Sequence, residues 1–279
     1  MIRNLLLTHT QSVYKSINQK KFMILMQKDI HANYKSEKYA AKAISFLKKR
    51  GLLPLKASSE LSSIVGHLIG DGTLSKDLYV GDFKFFGSKN KLEKIKVKVT
   101  KLFSIQPAEF FQRKGGFVLR YNNCIISRVL ELVGVPRGNK VLKEFTIPTW
   151  IKSGNKKIKK AFLVAIFDDE LSTPRKNKRG YVESLRLKFN KAEDILCSGV
   201  EFLEDISRLL SNFGVVYGTI KLNNDLYINK CGITTRSIYF NISVKRENLL
   251  KFRDNVGFET ELKKIDRLNS LLKDQQFYK

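Results

Sequence analysis

The sequence predicts an α+β protein: two pseudo-symmetric α-β-β-α-β-β-α halves with antiparallel sheets forming a saddle, plus a small N-terminal helical segment. Three observations lead there. Two stretches, SSIVGHLIGDGT and AFLVAIFDDELS, share one helical pattern. Each is followed by strands that alternate apolar and polar residues, the mark of sheets with one buried and one wet face. Each run then closes on an apolar-Gly-apolar triplet, Val133-Gly134-Val135 and Val256-Gly257-Phe258.

The first motif helix places Leu61, Ile64, Val65, Leu68 and Ile69 on one face. A second stripe, Ser62, Gly66 and Gly70, is made of small side chains. An interior helical glycine costs about 1 kcal/mol relative to alanine, so two of them need a reason. Close approach of another helix supplies it. The second motif offers the matching stripe, Ala161, Ala165 and Asp169, and Glu170 stands where the first has Asp71. Ser62, Gly66, Gly70, Ala161 and Ala165 are therefore expected to form a helix interface that sets two acids side by side. His67 lies beside the apolar face and reads as a packing residue.

The remaining elements follow in order. Residues 1–57 form the N-terminal extension, with helices over 10–28 and 36–50, the second stopped by Gly51 and Pro54. Tyr39, Ala40, Ala43, Ile44 and Leu47 line one face of that second helix. The extension resembles a small helix-turn-helix, with Lys35, Lys38, Lys42 and Lys48–Arg50 available for phosphates; a packing extension with a solvated basic face explains it equally well. The first repeat, 58–140, carries a strand pair at 78–86, a helix at 91–103, a hairpin over 109–121 turning at Gly115-Gly116, and a helix over 125–133 ending at Gly134. A linker spans 141–160. The second repeat, 161–279, carries strand 184–189, a helix at 194–212, strands 215–222 and 238–244, and a helix from Glu247 to Gly257.

The formal net charge is +26, from 52 Lys and Arg against 26 acids. That excess points to a polyanion partner, with nucleic acid the commonest. Candidate DNA contacts are Lys84, Arg113, Arg120, Arg186, Lys188 and Arg236 around the sheets, and Arg175, Lys176 and Arg179 in the loop after the second motif. Cys124, Cys197 and Cys231 have no paired spacing, so neither a zinc site nor a disulfide framework is expected. No membrane partner is expected, since no apolar run reaches the ~18 residues of a span. Residues 1–28 lack acids and faintly resemble a transit peptide, but they are poor in Arg and their apolar residues suit an ordinary helix. An intracellular, cytoplasmic and nucleoid-associated setting is therefore expected ahead of an organelle.

Ile64–Gly72 and Leu163–Leu171, each heading the same run of elements, resemble the paired motifs of the LAGLIDADG homing endonucleases. The likeness is to the single-chain, two-motif members common in archaeal introns. It covers roughly 58–272, including the linker-like Gly134–Lys140. It implies a monomer with internal pseudo-two-fold symmetry, in which Asp71 and Glu170 bind metal and each acts on one DNA strand. Gly70 and Asp169, just before them, complete the expected metal set. Lys89 and Lys191, near the ends of corresponding strands, are expected to stabilise charge on the scissile phosphate. One departure is Leu171, where the family has glycine; strain in the turn that aims Glu170 is expected.

The chemistry of the acids stands beside the resemblance. A carboxylate at a helix C-terminus sits at the negative end of the macrodipole. Two meeting there repel, and one stays protonated unless a cation joins them. Oxygen ligands without His or Cys favour Mg²⁺ or Mn²⁺ over zinc. The first expectation is thus a metal-dependent endonuclease cutting both strands of double-stranded DNA and leaving short 3′ overhangs. The alternatives are an RNA maturase that assists splicing of intron RNA, and a regulator that binds DNA without cutting. The chain neither starts with Cys or Ser nor ends in His-Asn, and is expected to be free-standing.

Overall fold

The computed structural model describes residues 23–228 and 232–273. The chain divides into two units, 1–58 and 59–279. In the first, strand β1 (Met23–Leu25) pairs antiparallel with β2 (Leu55–Lys56). Between them lie helices α1 (Gln27–Ala32) and α2 (Glu37–Lys49). Of the helix expected over 10–28, residues 10–22 lie outside the described residues, and 23–25 are strand. The cause is local: Phe22–Met26 is an unbroken apolar run, which suits a strand better than one helical face. Asp29 then accepts the Met26 amide at 2.7 Å and starts the helix behind it. Helix α2 ends as predicted, with Gly51 at φ +66°. Ala40, Ala43, Ile44 and Leu47 are buried, but Tyr39 is 63% exposed and does not belong to that face.

The second unit holds both repeats. The first runs α3 (Ser59–Ile69), β3 (Thr73–Leu74), β4 (Asp82–Gly87), α4 (Lys89–Phe103), β5 (Glu109–Arg113), β6 (Gly116–Asn122) and α5 (Cys124–Leu132). Its sheet order is β3-β4-β6-β5. After the short helix α6 (Thr149–Lys152), the second repeat runs α7 (Lys156–Glu170), β7 (Leu185–Ala192), α8 (Leu196–Ser211), β8 (Lys221–Ile228), β9 (Thr234–Ile242) and α9 (Arg246–Asn255). Its sheet order, β7-β9-β8, repeats β4-β6-β5. The counterpart of β3 is reduced to an isolated antiparallel bridge, Leu171 to Leu187. The expected duplication is present, and all strand pairs in both sheets are antiparallel.

Several boundaries differ from the sequence reading. The strand pair expected at 78–86 is β3 at 73–74 joined to β4 by a turn over 78–80. Helix α7 starts at Lys156, inside the expected linker, where the Asn155 side chain accepts the Ile158 amide at 3.0 Å. The strand expected at 215–222 lies at 221–228. Strand β8 is an edge strand exposed along nearly its whole length, so it has no buried face to impose alternation. A final helix, α10 (Leu262–Lys273), goes beyond the expected elements; Leu268, Leu271 and Leu272 bury its inner face.

The two motif helices, α3 and α7, pack along their small stripes as expected. A Cβ added to Gly66 would lie 2.7 Å from the Ala165 Cβ, and one added to Gly70 would collide with the Asp169 carboxylate. Ser62 donates to the Ile158 carbonyl at 2.8 Å. Ala161 is half-buried, and Phe162 takes its place against Gly66, through a carbonyl 3.0 Å from the added Cβ. Leu61, Ile64, Leu68, Phe162, Leu163 and Ile166 fill the core around the pair.

Candidate functional site

Both motif helices end at one cluster of charged groups. Asp169, on the last turn of α7, is fully buried and has both carboxylate oxygens engaged. One accepts from Lys91 Nζ at 2.7 Å and lies 3.0 Å from His67 Nδ1. The other accepts the Asp71 backbone amide across the interface at 3.0 Å. Burial alone would raise this carboxyl, but His67 and Lys91 outweigh it and hold it below the usual range. Asp169, expected in the metal set, is instead the strut that locks one helix end to the other.

Lys91 is the lysine that reaches the acids. Its Nζ sits 3.0 Å from Asp71 and 2.7 Å from Asp169, and its side chain is 2% exposed. Burial works against the ammonium, yet Asp169 and Asp71 together hold its pKa above the ordinary value. Lys89, expected in this role, is exposed at the first position of α4. The difference is helical geometry: Lys91 lies two residues further into the turn, where its stem runs under Gly87.

Two further lysines, outside the expected set, close the helix ends. Lys140 Nζ sits among the carbonyls of Leu68, Ile69, Gly70 and Gly72, within hydrogen-bond reach of all four and 2.9 Å from that of Gly72. Lys264 Nζ donates to the carbonyls of Phe167 and Asp168 at 3.0 and 2.6 Å. A cation at each C-terminus offsets the negative end of the macrodipole and allows acids to collect there. Burial lowers both lysines, opposed by Glu170, Asp169 and Asp71 for Lys140 and by Asp168 first for Lys264. The sequence does carry a signal: both lysines follow the matched apolar-Gly-apolar triplets by a few residues. Gly70, expected to offer its carbonyl to metal, gives it to Lys140.

Asp71 and Glu170 remain as the candidate metal ligands. The Asp71 side chain is 44% exposed, and among the described residues only Lys91 pairs with its carboxylate. The Glu170 carboxyl is pushed up to about 7 by burial and by the negative charges of Asp71 and Asp169. That is the electrostatic conflict expected of two acids at adjoining helix ends. Among the described residues no group of three His, Cys, Asp or Glu is arranged to hold a metal ion. Two carboxylates with no nitrogen or sulfur donor nonetheless fit Mg²⁺, which keeps several waters and takes one or two carboxylates plus substrate phosphates. The strain expected from Leu171 is absent: it is extended, φ −74° and ψ 136°, and enters its bridge to Leu187 directly.

Lys191 is buried but points elsewhere. Its Nζ donates to the carbonyls of Lys140, at 2.9 Å, and Lys143, and lies 3.9 Å from the Phe145 ring centroid. Burial lowers it to about 8, against the pull of Glu144. It anchors the segment that carries Lys140.

The expected basic sheet faces are partly neutralised. Arg120 pairs with Asp82 at 2.8 Å and Glu109 at 3.1 Å, Arg236 with Glu193 at 2.8 Å, and Arg175 with Glu183 at 2.6 Å. Lys84 lies 3.8 Å from Asp82, and Arg113 stacks 4.9 Å from the Phe86 ring. Arg186 lies over Tyr239 at 4.2 Å, beside the exposed Lys188. Lys176 bridges Val182 across the loop whose tip carries Arg179. Just beyond Glu170, an open groove of about 720 Å³ is lined by Ser172, Arg175, Arg186, Lys263 and Arg267, among others. Its last two cations come from α10 and, like that helix, stand outside the sequence reading.

Fold and site together define a two-repeat α+β protein whose paired helices bring acids and buried lysines to one point. No protein-family profile matches the chain. Its curated relatives include the DNA-directed RNA polymerase subunit Rpo1N of Methanocaldococcus jannaschii, 33% identical over 203 residues, 63% of this chain and 15% of that protein. The tRNA-splicing ligase RtcB of Pyrococcus furiosus is 28% identical over 242 residues, 79% of this chain and 24% of that protein. The replication factor C small subunit of Methanocaldococcus jannaschii is 27% identical over 268 residues, 88% and 14%. The chain thus spans a quarter or less of the relatives it matches. Among solved structures, variants of the homing endonuclease I-DmoI are similar with a TM-score of 0.43 and 19% identity, over 71% of this chain and 90% of that one. The N-terminal LAGLIDADG domain of DUF199/WhiA is similar with a TM-score of 0.43 and 19% identity, over 75% and 86%.

Proposed function

We propose that this chain is a site-specific endonuclease of the LAGLIDADG homing type, hydrolysing both strands of double-stranded DNA with Mg²⁺ or Mn²⁺. One observation carries the reading: Asp71 and Glu170 end two helices packed by their glycine and alanine edges, close enough that Asp71 helps push Glu170 up to about 7. Asp71 and Glu170 would hold the ion, which when bound supplies charge stabilisation and an acidified water for phosphodiester hydrolysis. Asp169 fixes the separation of the helix ends through the Asp71 amide. Lys140 and Lys264 neutralise the carbonyls that would otherwise repel an incoming phosphate. Lys91, already beside Asp71, is placed to receive negative charge as a phosphate oxygen develops it. Arg186, Lys188, Lys263 and Arg267 supply phosphate contacts next to Glu170, so affinity should fall steeply with salt.

The relatives give a separate line of support. Similar segments occupy a small part of a polymerase subunit, a ligase and a replication factor subunit, the distribution of an element that moves between unrelated hosts. A second reading, a duplex-binding protein that does not cut, draws on Lys91, whose ammonium already partly balances Asp71. Selection from a random duplex library in Mg²⁺ separates the two. Recovery of cut sites by the parent supports the nuclease; recovery of bound, uncut sites alone moves the assignment to the second reading.

A further inference from the structure

We infer that helix α2 of the N-terminal unit is a second duplex-docking element, its exposed lysine stripe seated against the phosphates of double-stranded DNA. The inference rests on the proposal that duplex DNA is the partner, but it concerns a different unit from the acids. Burial of Ala40, Ala43, Ile44 and Leu47 fixes which side of α2 faces inward. Opposite them, Lys38, Lys42, Ser45 and Lys49 fall on one line at spacings of four, three and four residues. All four are exposed, and among the described residues no acid pairs with the three lysines.

The shape of this face suits a groove. Ser45 stands within the lysine line and Ala41 beside it, so that part of the face stays low while the long lysines reach outward. Tyr39, 63% exposed on the flank, adds an amphipathic ring at the edge. The helix, 13 residues, is about 20 Å long, enough to lie along a major groove. Between residues 37 and 56 the only acid is Glu37, whose carboxylate lies 3.4 Å from His31, against Lys38, Lys42, Lys48, Lys49, Arg50 and Lys56. A face that merely stayed hydrated would mix signs. This one is complementary to a polyanion along its whole length.

The test uses the full chain and a long mixed-sequence duplex. Acetylation of lysines, read by mass spectrometry with and without the duplex, should show protection of Lys38, Lys42 and Lys49. The variant with Lys38→Gln, Lys42→Gln and Lys49→Gln should bind the same duplex with a salt dependence shallower by about three in log–log slope, near one for each phosphate no longer neutralised. Equal acetylation of the three lysines with and without duplex would overturn the inference, as would an unchanged slope. Protection by an RNA hairpin and not by the duplex would overturn it too. Lys188 in the second unit is the internal reference: its protection without that of the stripe sinks only this inference, while protection of neither sinks the duplex reading as well.

Discussion

Lys91 Nζ lies 2.7 Å from Asp169 and 3.0 Å from Asp71, so one buried ammonium ties the last turn of α7 to the residues just past the end of α3. Removing one member of a buried pair leaves the other charge uncompensated and costs about 3–5 kcal/mol. Lys91→Met should therefore lower unfolding stability by that amount in denaturant titration. Pairing it with Asp169→Asn should recover much of the loss. Lys89→Ala, on the exposed first position of the same helix, should stay within about 0.5 kcal/mol of the parent.

The glycine edge makes a steric prediction. At Gly66 a methyl group would meet the Ala165 Cβ at 2.7 Å and the Phe162 carbonyl at 3.0 Å, so the helices must part or shift. Gly66→Ala should destabilise by about 1–3 kcal/mol, despite alanine's better helix propensity. Gly218→Ala, with its nearest neighbour at 3.8 Å, should cost far less. The two melting curves, measured side by side, decide whether close approach is the reason for the glycine.

Two groups give opposite pH signatures in the metal-free protein. Glu170 rises from 4.5 to about 7 on folding, so between those values the folded chain holds a proton that the unfolded chain has released. Stability should fall as pH climbs through that window, and Glu170→Gln should flatten the fall. Lys191 drops from 10.5 to about 8, so between those values the unfolded chain holds the extra proton. Stability should rise with pH there, and Lys191→Met should remove the rise. Thermal melts from mildly acidic to alkaline pH, in a chelator, read both.

Much of this architecture is legible in the sequence because it is periodic. The small stripe Ser62, Gly66, Gly70 and its partner predict the helix pair, and the twin strand patterns predict the duplicated sheets. What the sequence hides has a common cause. Lys91, Lys140 and Lys264 reach the helix ends through long side chains from elements distant in the chain, and nothing in a lysine's neighbours marks it as buried among so many others. His67 does pack, as its position in the motif helix predicts, but its ring also meets Asp169 through a contact that exists only once the helices meet. Strand β8 escapes correct placement because an exposed edge carries no alternation. Helix α10 has its signal in Ile265, Leu268, Leu271 and Leu272, yet lies past the point where the repeat pattern ends.

The most direct measurement is cleavage of a library-selected site in supercoiled plasmid with Mg²⁺, comparing the parent with Asp71→Asn and Glu170→Gln at matched binding. The account predicts linear product from the parent and none from either variant, with duplex affinity retained in both. Linear product persisting after loss of either acid, or a parent that binds the site and leaves it intact, would contradict it.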